Sequence, residues 1–185
     1  MLAIHVCCAD CMLNALQNLK DNKLVEDGEK IYLIYYNPNI HPRAEYLERL
    51  KAIKEVIDGL DYKKDLKLVI PDYKPMDFIK AVTEGRGEDK NKCISCWKLR
   101  LIHLFIWAKE NKVDRVATTL LTSHYQNADD INDIAASYSK EFSIEFVPIN
   151  SESNCKHHGF YKQNYCGCCF SLTEKMLSKL KETTD

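Results

Sequence analysis

Residues 2–22 read LAIHVCCADCMLNALQNLKDN, and the fold turns on how that stretch is read. Residues 2–6 form an apolar run of strand length, and from Met12 the apolar residues recur at helical spacing. Between them, positions 7–11 hold three cysteines: Cys7, Cys8 and Cys11. A buried strand feeding directly into a helix is the first half of a βαβ unit.

The pattern continues outward from there. Residues 30–37, KIYLIYYN, read as a second strand, ended by the turn of Asn37, Pro38 and Asn39. Residues 44–60 read as a helix with Tyr46, Leu50, Ile53 and Ile57 on one face and Gly59 near its end. Residues 66–71 are a third strand, 76–85 a short helix, and 85–92 a polar loop. Residues 93–111 read as a long helix with Trp97, Leu101, Leu104, Phe105 and Ala108 inward. A fourth strand over 114–122, a helix over 128–142 and a fifth strand over 143–149 follow. A polar loop from Ser151, the stretch QNYCGCCFS (163–171) and an amphipathic helix over 172–182 complete the chain. Such alternation predicts an α/β fold: a Rossmann-like, doubly wound parallel sheet with helices on both faces. Neither a repeat nor a domain boundary interrupts it, so one domain over 1–185 is expected. Ligands of such sheets sit at the carboxyl ends of the strands, near a switch point, and the first cysteines lie in such a turn.

Bulk properties set the compartment. With 45% hydrophobic and 29% charged residues in 185, the chain reads as a soluble globular protein. No apolar run approaches the roughly 18 residues needed to span a bilayer, and the N-terminus lacks the basic start of a signal peptide. A cytoplasmic protein is expected, with no membrane partner. In a reducing compartment nine cysteines point to metal or redox chemistry rather than a disulfide framework. Eight lie in three clusters, Cys7/Cys8/Cys11, Cys93/Cys96 and Cys166/Cys168/Cys169, and only Cys155 stands alone. A net charge of −1 makes no electrostatic case for nucleic acid.

Each cluster allows more than one chemistry. Cys93 and Cys96 form a C-x-x-C pair at a helix start, where backbone amides favour thiolate; zinc, an iron–sulfur cluster or a dithiol would all use it. Cys7 and Cys8 are adjacent, and a disulfide between neighbours is strained. Two thiolate clusters on separate loops can together supply four soft ligands, for zinc or for iron–sulfur. Asp10 would add a hard oxygen, which fits a catalytic iron better than structural zinc. In YCGCCF, the central Gly167 allows a tight bend, and Cys166 and Cys168 could close as a strained, reducible pair suited to electron transfer. Cys169 reads equally well as a core residue. Among the histidines, His5 and His103 are expected to be structural. His124, at the carboxyl end of the fourth strand, suits substrate, and His157 and His158 beside Lys156 default to a solvated loop.

The order of H-x-C-C-A-x-C, Y-N-P-N-I-H-P-x-x-E-Y, C-x-x-C-W-K-L-R-L, T-T-L-L-T-S and Y-x-Q-N-Y-C-G-C-x-F-S resembles the QueH family, cobalamin-independent epoxyqueuosine reductases of tRNA queuosine biosynthesis. The five motifs run in the same order nearly end to end. The resemblance implies a HUP/PP-loop-like sheet with a Cys-rich C-terminal extension, and two-electron deoxygenation of epoxyqueuosine to queuosine in the anticodon of a tRNA partner. It implies a 4Fe-4S cluster on Cys7, Cys8, Cys93 and Cys96, a redox pair at Cys166 and Cys168, and an external electron donor. An adjacent mononuclear iron on Asp10 and Cys11 is a further expectation, with Asp10 catalytic. The family's opening motif often reads C-C-A-P-C, and Asp10 departs from it. A flipped-out base needs stacking and hydrogen-bonding partners; the candidates are Tyr35, Tyr36, Asn37, Asn39, His124, Tyr125 and Gln126, with Arg43, Arg86, Lys92, Lys98 and Arg100 for phosphates.

Two other readings use the same residues. One is a zinc-stapled thiol oxidoreductase or tRNA-binding module, with zinc on Cys7, Cys8, Cys93 and Cys96. The other is an ATP-using tRNA thiolase, against which stands C-C-A-D-C where a glycine-rich phosphate loop is expected.

Overall fold

The strand-then-helix order predicted from residue 2 onward is the one the chain adopts. A computed structural model describes residues 1–84, 92–123, 125–149 and 159–182. In order these form β1 (Leu2–His5), α1 (Ala9–Asp21), β2 (Ile31–Ile34), α2 (Arg43–Asp58), β3 (Leu66–Val69) and α3 (Pro75–Glu84). Then follow α4 (Lys92–Glu110), β4 (Arg115–Thr118), α5 (Ala128–Phe142), β5 (Glu145–Phe146) and α6 (Cys169–Glu182). The five strands pair in parallel in the order β3-β2-β1-β4-β5.

Alternation along β1 distributes the core to both faces. Leu2 and Ile4 join Met12, Leu16 and Leu19 of α1 and Tyr46, Leu50 and Ile53 of α2. Ala3 faces the other way, with Leu104, Phe105 and Ala108 of α4. Trp97 and Leu101 of α4 pack with Ile131 and Ala135 of α5. The inward faces predicted for the second and long helices are therefore the buried ones. Phe105 is wholly enclosed, and truncating such a ring to Ala costs about 3–5 kcal/mol.

The chain runs from β1 outward through β2 and β3, then returns to lay β4 and β5 on the other side. The switch point lies between β1 and β4, the place where sheets of this kind bind ligands at their carboxyl edge. His5, the last residue of β1, is fully buried and ties this region together. Its Nε2 donates to the carbonyl of Tyr36 at 3.2 Å, and its Nδ1 accepts from the Thr118 hydroxyl at 3.2 Å. Asn37 Nδ2 donates to the carbonyl of Val6 at 2.8 Å, clamping the turn after β2 onto the end of β1.

Three element boundaries differ from the sequence expectation. α1 begins inside the cysteine cluster because Cys8 is its N-cap: extended at φ −162°, ψ 166°, its sulfur accepts from the Cys11 amide at 3.4 Å. The fourth strand stops at Thr118, and Thr119–Thr122 coil into a 3-10 turn. There the Thr118 hydroxyl accepts from the Leu120 amide at 3.2 Å, and the Thr122 hydroxyl donates to the Thr119 carbonyl at 2.9 Å. Local hydroxyl-to-backbone bonds outcompete the ladder. β5 is only two residues long, an edge strand whose Glu145 and Phe146 pair with Arg115 and Val116 of β4.

Candidate metal and substrate site

The opening turn gathers three sulfurs. Cys7 and Cys8 are buried and Cys11 is partly so, and their ligand atoms all lie within 4.8 Å of one another. The 3-10 turn after β4 supports them: the Cys7 amide donates to Thr119 Oγ1 at 3.2 Å, the Thr119 hydroxyl donates to Cys7 Sγ at 3.3 Å, and the Thr122 hydroxyl donates to the Cys11 carbonyl at 3.3 Å. Hydrogen bonds from Cys11 and then Cys8 hold the Cys7 thiol well below the usual range, against the opposing effect of burial. Cys8 is pushed up to about 12: Cys11 favours its thiolate, but its own bond to Cys7 and its burial outweigh that. Cys11 is raised by its bonds to Cys7 and Cys8 and by burial. Three close sulfurs that favour the thiolate at Cys7 and the thiol at Cys8 and Cys11 are a set of soft donors whose protons a metal would have to displace. Three thiolates each about 2.3 Å from a tetrahedral ion would stand at this kind of spacing. Eight cysteines lie among the described residues, and all of them are free thiols.

The other two clusters meet across a cavity of about 960 Å³, lined by Cys93, Cys96, Cys166 and Cys168. Cys93 is exposed and Cys96 buried. Burial raises both, Cys96 to about 11, although the Arg100 charge pulls the other way. The Cys166 and Cys168 sulfurs lie 3.5 Å apart, with Ser171 Oγ 3.0 Å from the first and 3.5 Å from the second. The hydrogen bond from Cys168 brings Cys166 down to about 6 despite burial, with Ser171 assisting, and Cys168 is raised in return. The pair thus favours a thiolate at Cys166 and a thiol at Cys168. Arg100, only 3% exposed, lines the same cavity and donates from Nε to the Cys96 carbonyl at 3.4 Å.

Polar and aromatic groups complete the lining. Asn39 is buried beside the same cavity, and its Oδ1 has no hydrogen-bond partner among the described residues. Trp97 Nε1 donates to Gln126 Oε1 at 2.6 Å. An indole can only donate, so Gln126 must turn its oxygen to Trp97, leaving its NH2 for a ligand. Tyr125, 42% exposed, stands at the same cavity, as do Phe78, Phe170 and Lys92.

The structure divides the predicted residues. Asn39, Tyr125 and Gln126 meet at the cavity. Tyr36 instead stacks on His103, ring centroids 3.7 Å apart, and its hydroxyl reaches Asp77 Oδ2 at 3.4 Å. Asn37 is taken up by Val6, and Tyr35 donates to the Tyr46 carbonyl. Asp10 stands outside the sulfur trio, and its Oδ1 is 2.8 Å from Lys162 Nζ. Arg43, Lys92 and Lys98 are exposed. His5 is buried and hydrogen-bonded, and the half-buried His103 stacks on Tyr36. Arg86, His124, Cys155, Lys156, His157 and His158 lie outside the described residues. The roles of Ser171 and of the Trp97–Gln126 bond were missed from the sequence, although all three residues lie in or beside the motifs quoted above.

An α/β sheet with thiols gathered at its carboxyl edge and a cavity walled by two cysteine pairs defines a class of protein equipped for metal or thiol chemistry. Comparison narrows the class. The sequence profile of the epoxyqueuosine reductase QueH family matches residues 2–174, and the chain belongs to that family. Among relatives carrying the name Epoxyqueuosine reductase QueH, that of Helicobacter pylori is 32% identical over 92% of this chain and 49% of its own length. That of Staphylococcus epidermidis is 26% identical over 94% of this chain and 77% of its own. That of Thermotoga maritima is 28% identical over 93% and 90%. The chain thus spans about half the length of the Helicobacter relative and most of the other two. Among the described residues, no helix is long and apolar enough to cross a membrane.

Proposed function

We propose that the chain is an epoxyqueuosine reductase acting on epoxyqueuosine in a tRNA anticodon, the closing step of queuosine biosynthesis, with residues 1–185 working as one iron–sulfur reductase unit in the cytoplasm. The observation that carries this reading is the cavity walled jointly by Cys93, Cys96, Cys166 and Cys168. It is wide enough for a splayed nucleoside and sits at the carboxyl edge of the sheet. Removing the epoxide oxygen takes two electrons and two protons: both C–O bonds break, the ring becomes a cyclopentene, and water leaves.

Cys7, Cys8, Cys93 and Cys96 would hold a 4Fe-4S cluster, and Asp10 with Cys11 an adjacent iron. The fit rests on the donors themselves: soft sulfurs, buried at Cys7, Cys8 and Cys96 and exposed at Cys93, with Cys7, Cys8 and Cys11 gathered close to one another. Such centres supply electrons and a Lewis acid for the epoxide oxygen. The chain's own residues do the rest. Cys166 and Cys168 supply a dithiol, re-reduced by an external donor. Gln126 and Asn39 hold the ring's oxygens as donor and acceptor, Tyr125 stacks on the base, and Lys92 meets backbone phosphate. Tyr36 and Asn37 act beneath them, in the packing that supports Asn39. His124 is a further substrate contact.

The test is an anaerobic assay on epoxyqueuosine-containing RNA, with iron, zinc and sulfide measured in the same sample. Loss of one oxygen from the modified base, catalysed by an iron- and sulfide-bearing protein, is expected. A colourless zinc protein that leaves the epoxide intact refutes the reading and favours a zinc-stapled module.

A further inference from the structure

The Cys166–Gly167–Cys168 turn owes its shape to a residue more than a hundred positions away. Arg49, in the middle of α2, is a charged residue in a charged stretch, yet it is only 2% exposed. Its Nη2 donates to the Tyr165 carbonyl at 3.3 Å and its Nη1 to the Cys166 carbonyl at 3.2 Å. The next carbonyl, of Gly167, accepts from the His41 amide at 2.8 Å. Three consecutive carbonyls of the turn are therefore held by residues 41–49. Arg49 is itself fixed: its Nε lies 2.6 Å from Glu45 Oε1, and the Tyr161 hydroxyl donates to Glu45 Oε2. Tyr165 adds a second tie, donating from its hydroxyl to the His41 carbonyl at 3.0 Å.

Gly167 marks how close the guanidinium comes. A Cβ there would meet Arg49 Nη2 at 2.9 Å and Cζ at 3.0 Å, and its φ of +109° already disfavours any side chain. The glycine thus leaves room for Arg49 as well as permitting the bend.

We propose that Arg49 is the positioning residue of the Cys166/Cys168 pair, its guanidinium fork fixing the turn so that the two sulfurs are held in near-attack contact. This rests on the reading of that pair as redox-active. In the step concerned, the two thiols lose two protons and two electrons and form one S–S bond. Those electrons and protons are the ones epoxide removal consumes, and the external donor later restores the dithiol. The sulfurs stand 3.5 Å apart, and holding reacting atoms at about 3–3.5 Å raises their effective concentration. Freeing the turn lowers that concentration and disfavours the disulfide.

The experiment measures the equilibrium of the pair against reduced and oxidised glutathione in the full-length protein. A Cys169→Ser background confines the peptide to one possible bridge, read by mass spectrometry. Arg49→Met is expected to lower the dithiol–disulfide equilibrium constant about tenfold, or ~30 mV for a two-electron couple. Arg49→Lys keeps the charge but loses the fork, and should restore little of it. Gly167→Ala, which crowds the guanidinium, should act in the same direction. It also covers the case in which Arg49→Met does not fold. Where the double variant folds, its effect should fall short of the sum of the two single effects, because the crowding needs Arg49. An equilibrium constant unchanged in Arg49→Met despite a lower melting temperature overturns the proposal, as do additive effects. If the wild-type pair forms no disulfide under oxidising glutathione, the redox reading itself fails, and that outcome is told apart by the wild-type sample alone.

Discussion

His5 sets a measurable limit on acid stability. Burial, reinforced by the Arg100 charge, lowers it to about 4 in the folded chain, against about 6.5 in an unfolded one. Its neutral form is fully used, donating from Nε2 and accepting at Nδ1. Protonation would put a second N–H against the Thr118 oxygen. Above pH 6.5 both states are neutral, and His5 leaves stability unchanged with pH. As pH falls below 6.5 the unfolded chain takes up the proton and the folded chain does not, so stability is lost until about pH 4. The full loss is about 3 kcal/mol, and about 2 kcal/mol of it has gone by pH 5. Urea denaturation of reduced, metal-free protein at pH 7.5 and pH 5 measures this directly. His5→Gln removes the titration, so only the change with pH counts, whatever its own stability. Wild type should lose about 2 kcal/mol more than the variant between the two pH values. Equal losses would refute the reasoning.

Other outcomes follow from the cavity. Alkylation of Cys166 in the reduced protein should rise with pH to half its maximum near pH 6, where an ordinary thiol reaches it near about 8.5; a midpoint at the ordinary value removes the propped-thiolate argument. Cys93→Ala should lose visible absorbance and turnover together, and a colourless but fully active variant would sink the cluster assignment. Gln126→Glu keeps an oxygen for Trp97 but replaces the NH2 donor with an acceptor. RNA affinity should fall roughly ten- to hundredfold with little change in melting temperature, and unaltered binding would show that Gln126 does not face the ligand.

The layered α/β sheet was legible because its signals are local. Residues 2–6 and 30–37 carry strand patterns, and the apolar faces at Tyr46, Leu50 and Ile53 and at Leu101, Leu104 and Phe105 are buried as their spacing indicates. The stretch TTLLT was not legible as a turn, since its apolar content suits a strand equally well. It coils because the Thr118 and Thr122 hydroxyls offer the backbone nearer partners. Nor was the start of α1 evident, because cysteine is not among the usual capping residues. The three cysteine clusters were visible as chemistry, but the closeness of Cys7, Cys8 and Cys11 depends on a strand end, a helix cap and a distant 3-10 turn meeting at once. Arg49 was the hardest to foresee. With Glu45 four residues before it, it reads as an ordinary surface pair on a helix. It is buried by a turn 116 and 117 positions further along.

The pairing of β1 with β4 also has a consequence in time. During synthesis β1 and its cysteine turn are made well before β4, and Thr119, which supports Cys7, lies 112 positions later. The thiols that wall the cavity opposite Cys93 and Cys96 follow only with residues 166 and 168. Between the synthesis of Cys7 and that of Thr119 the nascent chain therefore carries cysteines whose supporting neighbours do not yet exist. A reducing environment would keep those thiols from reacting until the Cys166–Cys168 turn has docked on α2.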